Sequence, residues 1–263
     1  MTLLTSSFCL LPVGDDVRTL RFAAFTLVEY TRSGRILVEM LATVIAFYLF
    51  LWRDPFAADY FFSTTGLFGL GLTFYTTTAI MGLGDRPQGY VVLVRALGRP
   101  GYLMGLYLAA LAIELAAYGL LSLGVALART AVDLTLVDWL MGSLPLVLNI
   151  ALLSALLTLL TPLVLTAGWR LLILAVVAIA LSGNLIGGPT MASLAQPVMR
   201  VLDLLRTIFS APLVPPFTGF ALAVTRDYSG NNIAIPIAQF FLIVSLLALA
   251  LYAFSKREII LNS

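Results

Sequence analysis

The stretch LMGLYLAALAIELAAYGLLSLGVAL, residues 103–127, decides the fold class of this chain. It contains one charged side chain, Glu114, and at about 1.5 Å per residue a helix of this length rises about 38 Å. The hydrocarbon core of a bilayer is about 30 Å thick, and about 20 apolar residues suffice to cross it. The stretch therefore predicts a transmembrane helix.

The rest of the chain is similarly apolar. Of its 263 residues, 61% are hydrophobic and 11% are charged, against about 25% charged in a soluble domain. Hydropathy predicts an all-α membrane protein that forms a single transmembrane domain over residues 1–263. We expect six transmembrane helices, at residues 36–52, 60–83, 103–127, 139–165, 171–186 and 233–254.

The composition also excludes several kinds of chemistry. The chain has no His, which excludes imidazole bases, imidazole metal ligands and His-based triads. The single Cys9 excludes an intrachain disulfide or a cysteine metal cluster. The net charge of +2 is dispersed, so no nucleic-acid partner is expected. We expect no catalytic residue, no metal and no cofactor bound by this chain.

Basic residues in the connections predict the orientation, because they are retained on the cytoplasmic side. With the N-terminus inside, ten basic residues lie inside: Arg18, Arg21, Arg32, Arg35, Arg86, Arg95, Arg99, Arg170, Lys256 and Arg257. Five lie outside: Arg53, Arg129, Arg200, Arg206 and Arg226. This distribution predicts a protein of the cytoplasmic membrane, plasma or inner, with both termini in the cytoplasm.

Three further segments are predicted to be helical without crossing the bilayer. Residues 15–34 alternate apolar and basic stripes at helical spacing, which is typical of an interfacial helix. Residues 85–99 form a cytoplasmic connection whose middle is a short amphipathic helix, ended by Gly98 and Pro100. Residues 197–225, between spans five and six, are apolar but broken by Pro212, Pro215 and Pro216, which predicts an outer re-entrant helical segment.

Two acidic residues lie within the predicted spans. Glu39 follows Arg35 by four residues, so the spacing predicts an ion pair at the cytoplasmic edge. Glu114 lies near the middle of its span, where an ionised residue costs about 2.5–3.5 kcal/mol on insertion scales. We expect Glu114 to face the protein interior, where it is either protonated and hydrogen-bonded or in contact with substrate.

The second span carries a stripe of small and hydroxyl residues. Gly66, Gly69, Thr73 and Thr77 recur at helical spacing. Small residues allow helices to approach closely, so the stripe predicts helix packing, within the chain or across a dimer. The alternative is that the stripe lines a substrate path.

The order of these elements resembles the permease subunit of type-2 ATP-binding-cassette exporters. The resemblance covers residues 18–254. Its best local match is Asp85-Arg86, Gly89, an apolar run at residues 91–97, Pro100 and Gly105. The acidic residue that the family often carries after the Gly is replaced here by Tyr90 and Val91.

The resemblance implies that residues 85–99 form a coupling helix that docks on a separate nucleotide-binding ATPase subunit. Because this chain has no GxxxxGK[ST] phosphate loop, ATP and Mg would be held by that partner. Two copies of this chain, or this chain and a related one, would form the substrate path, and the region at 197–225 would cap its exit. The residues expected to bind the ATPase are Asp85, Arg86, Gly89, Tyr90, Arg95 and Arg99.

Six residues are expected to line the path or form a gate: Thr73, Phe74, Tyr75, Thr77, Thr78 and Glu114. Two rival functions remain open. A secondary transporter driven by protons or sodium would require paired ionisable residues at mid-membrane. A non-transporting membrane anchor of a larger complex would share the same composition, and its co-purifying partners would distinguish it.

Overall fold

The structure, a computed structural model, describes residues 15–52, 55–85, 97–128, 131–132, 134–181, 204, 207 and 210–256. Within these ranges the chain is almost entirely helical, with an isolated bridge between Phe56 and Ala131. The α-helices are α1 (Asp15–Arg32), α2 (Arg35–Ala46), α3 (Ala58–Gly84), α4 (Gly98–Ala128), α5 (Leu136–Leu159), α6 (Ala167–Leu181), α7 (Val214–Thr225) and α8 (Ala234–Lys256). A π-helical turn, Phe47–Leu51, continues α2, and short 3-10 turns, Ala211–Leu213 and Gly230–Ile233, precede α7 and α8.

Four helices are long and apolar enough to cross a membrane: α3, α4, α5 and α8. The bent pair of α1 and α2 raises this to five if the pair counts as one span. The chain is therefore an all-helical integral membrane protein, as hydropathy predicts. The predicted fifth span, residues 171–186, overlaps α6, in which Ala167–Val177 is apolar but shorter than a full span. Residues 182–186 of the prediction lie outside the described residues.

The N-terminal helix turns sharply into the first predicted span. The stretches Val17–Arg32 and Arg35–Leu51 meet at 77°. Gly34 lies in the bend with φ +74, a left-handed conformation that glycine adopts without the steric cost of a side chain. The buried residues Ala23, Thr26 and Tyr30 share one face of α1. This helix consequently has a face packed on the protein as well as the apolar and basic stripes read from the sequence.

The fourth predicted span is shorter than hydropathy alone indicates. The prediction ran to residue 165, whereas α5 ends at Leu159. Pro162 has no N–H to donate to the carbonyl of Thr158, and its ring opposes a continuing helix. The N–H and the hydroxyl of Thr161 both donate to that carbonyl instead, at 3.3 and 2.9 Å.

Contacts between helices establish their relative directions. The hydroxyl of Tyr102, near the start of α4, donates to the carbonyl of Gly84 at the end of α3, so these helices are antiparallel. A Cβ on Gly66 of α3 would meet Leu146, and one on Gly69 would meet Ile150. The residue numbers of these contacts increase along both helices, so α3 and α5 are parallel.

The direction of α8 follows from two further contacts. Arg99 at the start of α4 donates to the carbonyl of Ser255 at the end of α8, and Gln239 near the start of α8 donates to Pro145 of α5. Because α4 is antiparallel to α5, α8 is parallel to α5. We call the end of the bundle with Gly84, Arg99 and Ser255 the basal end, and the opposite end the distal end.

The core is centred on α5, which contacts α3, α4, α7 and α8. It is the most buried of the four long helices. By contrast, α6 makes little contact with the other described helices, and Trp169, Leu171 and Leu172 on it are exposed. Most of the described polar contacts in the interior therefore involve α3, α5 or a helix packed on them.

Candidate functional site

Glu114 lies in the interior of the bundle, as the sequence predicts. Its side chain is 3% exposed, and its Oε1 atom accepts a hydrogen bond from the hydroxyl of Thr77 at 2.8 Å. The Ser154 hydroxyl lies 3.0 Å from the same Thr77 oxygen. Because Thr77 gives its proton to Glu114, Ser154 must donate to Thr77. The hydrogen bonds thus run from α5 through α3 to the carboxyl on α4.

Glu39 does not pair with Arg35, so that prediction is wrong. The Glu39 side chain is 2% exposed, and its Oε1 atom accepts from Tyr30 at 2.5 Å and from Thr76 at 2.6 Å. Arg35 donates to the carbonyl of Ala79 at 3.0 Å. The packing of α2 against α1 and α3 brings hydroxyl donors to the carboxyl, and that packing cannot be read from a four-residue spacing.

The two carboxyls belong to one arrangement. Thr76 and Thr77 are consecutive, so their Cα atoms are about 3.8 Å apart, and each donates to a different glutamate. We call this arrangement the carboxyl–hydroxyl network: Tyr30, Glu39, Thr76, Thr77, Glu114 and Ser154. The Oε2 atoms of both glutamates have no hydrogen-bond partner within the described residues.

The residues predicted to line a path do not form one surface. Thr73 and Thr77 are fully buried, and the Thr73 hydroxyl donates to the carbonyl of Gly69 at 2.8 Å. Phe74 is 58% exposed and Tyr75 37% exposed, and the exposed Thr78 hydroxyl donates to the backbone of its own helix. At 3.6 residues per turn, these two groups lie on opposite faces of α3.

The stripe of small residues packs against helices of the same chain. A Cβ on Gly66 would approach Phe220 of α7 and Leu146 of α5 to within 3.0 Å, and one on Gly69 would lie 3.4 Å from Ile150. This close approach is the helix packing that the stripe predicts, and the described contacts place it within the chain.

The predicted coupling segment is described only at its two ends. Arg86, Gly89, Tyr90 and Arg95 lie outside the described residues. Asp85 caps α3, its N–H donating to the carbonyl of Met81 at 3.2 Å. At the other end of the segment, Gly98 has a φ of +66. Arg99 donates to the carbonyl of Ser255 at 2.7 Å, and Tyr102 donates to the carbonyl of Gly84 at 2.7 Å.

A second polar arrangement, which the sequence analysis missed, lies among α5, α7 and α8. Gln239 is fully buried and donates through Nε2 to Asn149 at 2.7 Å and to the carbonyl of Pro145 at 3.2 Å. Asn149 in turn donates to the carbonyl of Pro216 at 2.9 Å. We call these four residues the amide network. The sequence does show two amide side chains, Asn149 and Gln239, inside apolar spans, and polar side chains in such positions bond to neighbouring helices.

The amide network holds the start of α7 beside the middle of α5. Gln239 also lies against Gly219, where an added Cβ would overlap the amide group. Pro215 and Pro216 are the second and third residues of α7. These prolines have no N–H, so they remove two of the donors that the first turn of a helix would otherwise leave unpaired in an apolar interior.

Beyond α7 the chain turns back at the distal end. The Tyr228 hydroxyl donates to the carbonyl of Met141 at 2.6 Å. The exposed Asp227 carboxylate accepts the N–H of Ser229 at 2.9 Å, and hydrogen bonds from Ser229 lower the pKa of Asp227 from its ordinary value. Arg226, with φ 55, ends α7 and lies over the ring of Phe62 at 5.7 Å.

The described residues contain no group of three or more His, Cys, Asp or Glu side chains that could hold a metal ion. Comparison of the chain with protein-family models, with curated proteins and with solved structures finds no match. The assignment of a function therefore depends on the chain's own sequence and geometry.

Proposed function

We propose that this chain is the membrane-spanning permease subunit of an ATP-driven exporter of the type-2 ATP-binding-cassette kind. It would pair with a second copy of itself or a related permease, and separate subunits would bind ATP and Mg and hydrolyse the ATP. The observation that carries this proposal is the attachment of both ends of the connection at residues 85–99 to the helix bundle.

The connection and the residues that follow it contact two other helices, α1 and α8, besides α3 and α4, which the connection joins. Tyr102 bonds to Gly84 across its base, and Arg99 bonds to Ser255 on α8. A Cβ on Gly101 would meet Thr19 of α1 at 3.0 Å. A force applied to the connection by a partner would consequently act on α1, α3, α4 and α8 together, which is what coupling to an ATPase requires.

A six-span topology is part of this proposal. Helices α5 and α8 run in the same direction, so the chain between them must return from the basal end to the distal end. The apolar helix α6 lies in that interval. At about 1.5 Å per residue its 15 residues rise about 22 Å, and they would cross most of the bilayer as the fifth span.

The re-entrant segment is supported by the position of α7. Its first turn contacts Asn149, which lies midway along α5, and its last residues return to the distal end near Phe62. A helix of 12 residues that starts at mid-depth and ends at the surface has the form of a half-span. In the proposed exporter it would cap the exit of the path.

The exposed face of α3 is suited to a path between two copies. Phe74, Tyr75 and Thr78 point away from the core of their own chain. A residue that lines a path at a dimer interface must do so, because the core side is filled by its own helices. Thr73, Thr77 and Glu114 would then support the path from within rather than line it.

Purification of the native complex in mild detergent, followed by mass spectrometry and an ATPase assay, tests the proposal. We expect a nucleotide-binding subunit to co-purify with the wild-type chain. The double variant Arg86→Glu/Arg95→Glu should release that subunit or lower its transport-coupled ATPase activity at least tenfold.

The matched control is Arg21→Glu/Arg32→Glu, which reverses two exposed charges on the same predicted side of the membrane. It should leave the complex intact. Absence of any ATPase from a folded wild-type preparation would contradict the proposal, as would equal loss of the ATPase in both double variants.

A further inference from the structure

Two buried atoms of the carboxyl–hydroxyl network have no partner. Neither Oε2 of Glu39 nor Oε2 of Glu114 contacts a hydrogen-bonding group within the described residues. Both side chains are at least 97% buried, Glu39 being 2% and Glu114 3% exposed. Among the buried side-chain atoms without a partner in the described residues, these two are the carboxyl oxygens, and a carboxyl oxygen can take up a proton where there is no room for a larger ligand.

Three hydroxyl groups of the network donate to the other oxygen, Oε1, of the two carboxyls. Tyr30 and Thr76 donate to Oε1 of Glu39, and Thr77 donates to Oε1 of Glu114. Such donors favour a negative carboxylate, whereas burial of an unpaired charge in an apolar interior opposes it. A proton on Oε2 removes the cost of burying a charge and leaves every observed hydrogen bond in place.

No cation in the described part of the chain neutralises either carboxyl. On α2, Arg35 donates to the carbonyl of Ala79. On α4, Tyr107 donates to the carbonyl of Ala151 at 3.2 Å. The network residues from α3 and α5 are Thr76, Thr77 and Ser154, whose hydroxyls do not ionise near neutral pH. The charge of the site is therefore set by the two glutamates.

We propose that Glu39 and Glu114 form a proton-binding site in the interior of the bundle. In uptake, a hydronium ion transfers its proton to a glutamate Oε2, an O–H bond forms, a water molecule leaves, and the negative charge of the network falls by one. Glu39 lies one turn beyond the half-buried Arg35 at the basal end, so exchange with water occurs from that end.

This inference does not depend on the proposed ATPase partner. Proton binding serves an ATP-driven or an ion-driven transporter, and it is measured on the purified chain alone. Failure to find an ATPase would leave the proton site in place, and failure to find the proton site would leave the ATPase proposal in place.

Infrared spectroscopy of the full chain in lipid nanodiscs tests the site. Spectra recorded between about pH 6 and pH 9 in sodium-free buffer follow the C=O stretch of protonated carboxyls, since exposed Asp and Glu are ionised in this range. Chains labelled with carbon-13 glutamate distinguish a glutamate signal from an aspartate signal. We expect a label-sensitive band that decreases as the pH rises.

Variants then assign that band. Glu114→Gln and Glu39→Gln should each remove about half of it, and the double substitution should abolish it. Glu29→Gln, on the exposed surface of α1, should leave it unchanged. The wild-type titration requires no variant to fold: absence of a glutamate band across the range overturns the proposal, and so does a band that persists in folded protein carrying both substitutions.

Discussion

The carboxyl–hydroxyl network and the amide network both bury polar side chains among apolar helices, but they differ in charge. In the amide network, Asn149 uses both ends of its side chain, accepting from Gln239 and donating to Pro216, while Oε1 of Gln239 has no partner within the described residues. In the carboxyl–hydroxyl network, each glutamate leaves one oxygen without a partner within the described residues. An unpaired amide oxygen is neutral, whereas an unpaired carboxylate oxygen also carries a charge, and burial of that charge costs far more unless it is neutralised.

The comparison assigns different tasks to the two regions. The amide network positions α7 at the centre of the bundle, and we expect its disruption to cost stability. The carboxyl–hydroxyl network contains ionisable groups, and we expect its conservative variants to change proton binding more than stability. Substitutions in and around each network test this difference.

Gly219→Ala should have the largest effect. The new Cβ would overlap the Gln239 amide, so Gln239 or α7 must move, and overpacking of this kind costs about 1–3 kcal/mol. We expect a loss of about 2–3 kcal/mol in the free energy of unfolding, measured by reversible denaturation in mixed micelles.

Gly71→Ala is the matched control, since nothing lies within 4 Å of its Cβ position. It should keep or slightly raise stability, because Ala favours a helix over Gly by about 1 kcal/mol. Equal losses in both variants would show that the loss at Gly219 does not come from overlap with the Gln239 amide.

Asn149→Leu should cost somewhat less. The substitution removes the hydrogen bonds to Pro216 and Gln239 and replaces the amide with an apolar side chain of similar size. Interhelical hydrogen bonds in membranes contribute about 0.6 kcal/mol on average and up to about 1.7 kcal/mol, so we expect a loss of about 1–2 kcal/mol in the free energy of unfolding.

Combination with Gln239→Leu sharpens this prediction. The two side chains share a hydrogen bond, so the double variant should lose less stability than the sum of the single variants. Strict additivity would mean that the shared bond contributes nothing.

Thr77→Val should lower the free energy of unfolding by about 1 kcal/mol, since a buried carboxyl loses its donor. Thr78→Val is its neighbour-matched control, because the exposed Thr78 hydroxyl bonds only to its own helix in the described contacts. Measured side by side in mixed micelles, the control should change by less than about 0.5 kcal/mol. A larger loss for Thr78 than for Thr77 would refute the assignment of the two faces of α3.

The smallest expected effect is the coupling between Arg35 and Glu39. The two side chains bond to different groups, so a double-mutant cycle of Arg35→Gln and Glu39→Gln should give a coupling energy below about 0.5 kcal/mol. An ion pair would instead give a clear favourable coupling, and a value above about 1 kcal/mol would restore the pairing that the sequence predicted.

Hydropathy predicted the long helices well because it is a local property. Twenty consecutive apolar residues cannot avoid the bilayer, whatever they pack against, and α3, α4, α5 and α8 appear where predicted. Hydropathy predicted the end of α5 too late, because an average over apolar residues takes no account of the missing N–H of Pro162. The interior position of Glu114 was also predicted, because an acidic side chain within a span is costly to expose to lipid.

The partners of the polar groups could not be read in this way. Asn149 and Pro216 are 67 residues apart, and Asn149 and Gln239 are 90 residues apart. The rotation of α2 determines whether Glu39 meets Tyr30 and Thr76, and that rotation depends on packing against α1 and α3 together. No periodicity within one helix contains this information.

Apolar length and the cost of a charge in lipid act residue by residue, so the amino-acid sequence alone predicts a helical membrane protein with an acid in its interior. The bonds of Glu39 and Glu114 to the neighbouring residues Thr76 and Thr77, and the start of α7 beside Asn149, depend on how the helices pack. The physical reason is that hydrogen bonds form over about 3 Å, and only the packed helices bring such distant residues within that distance.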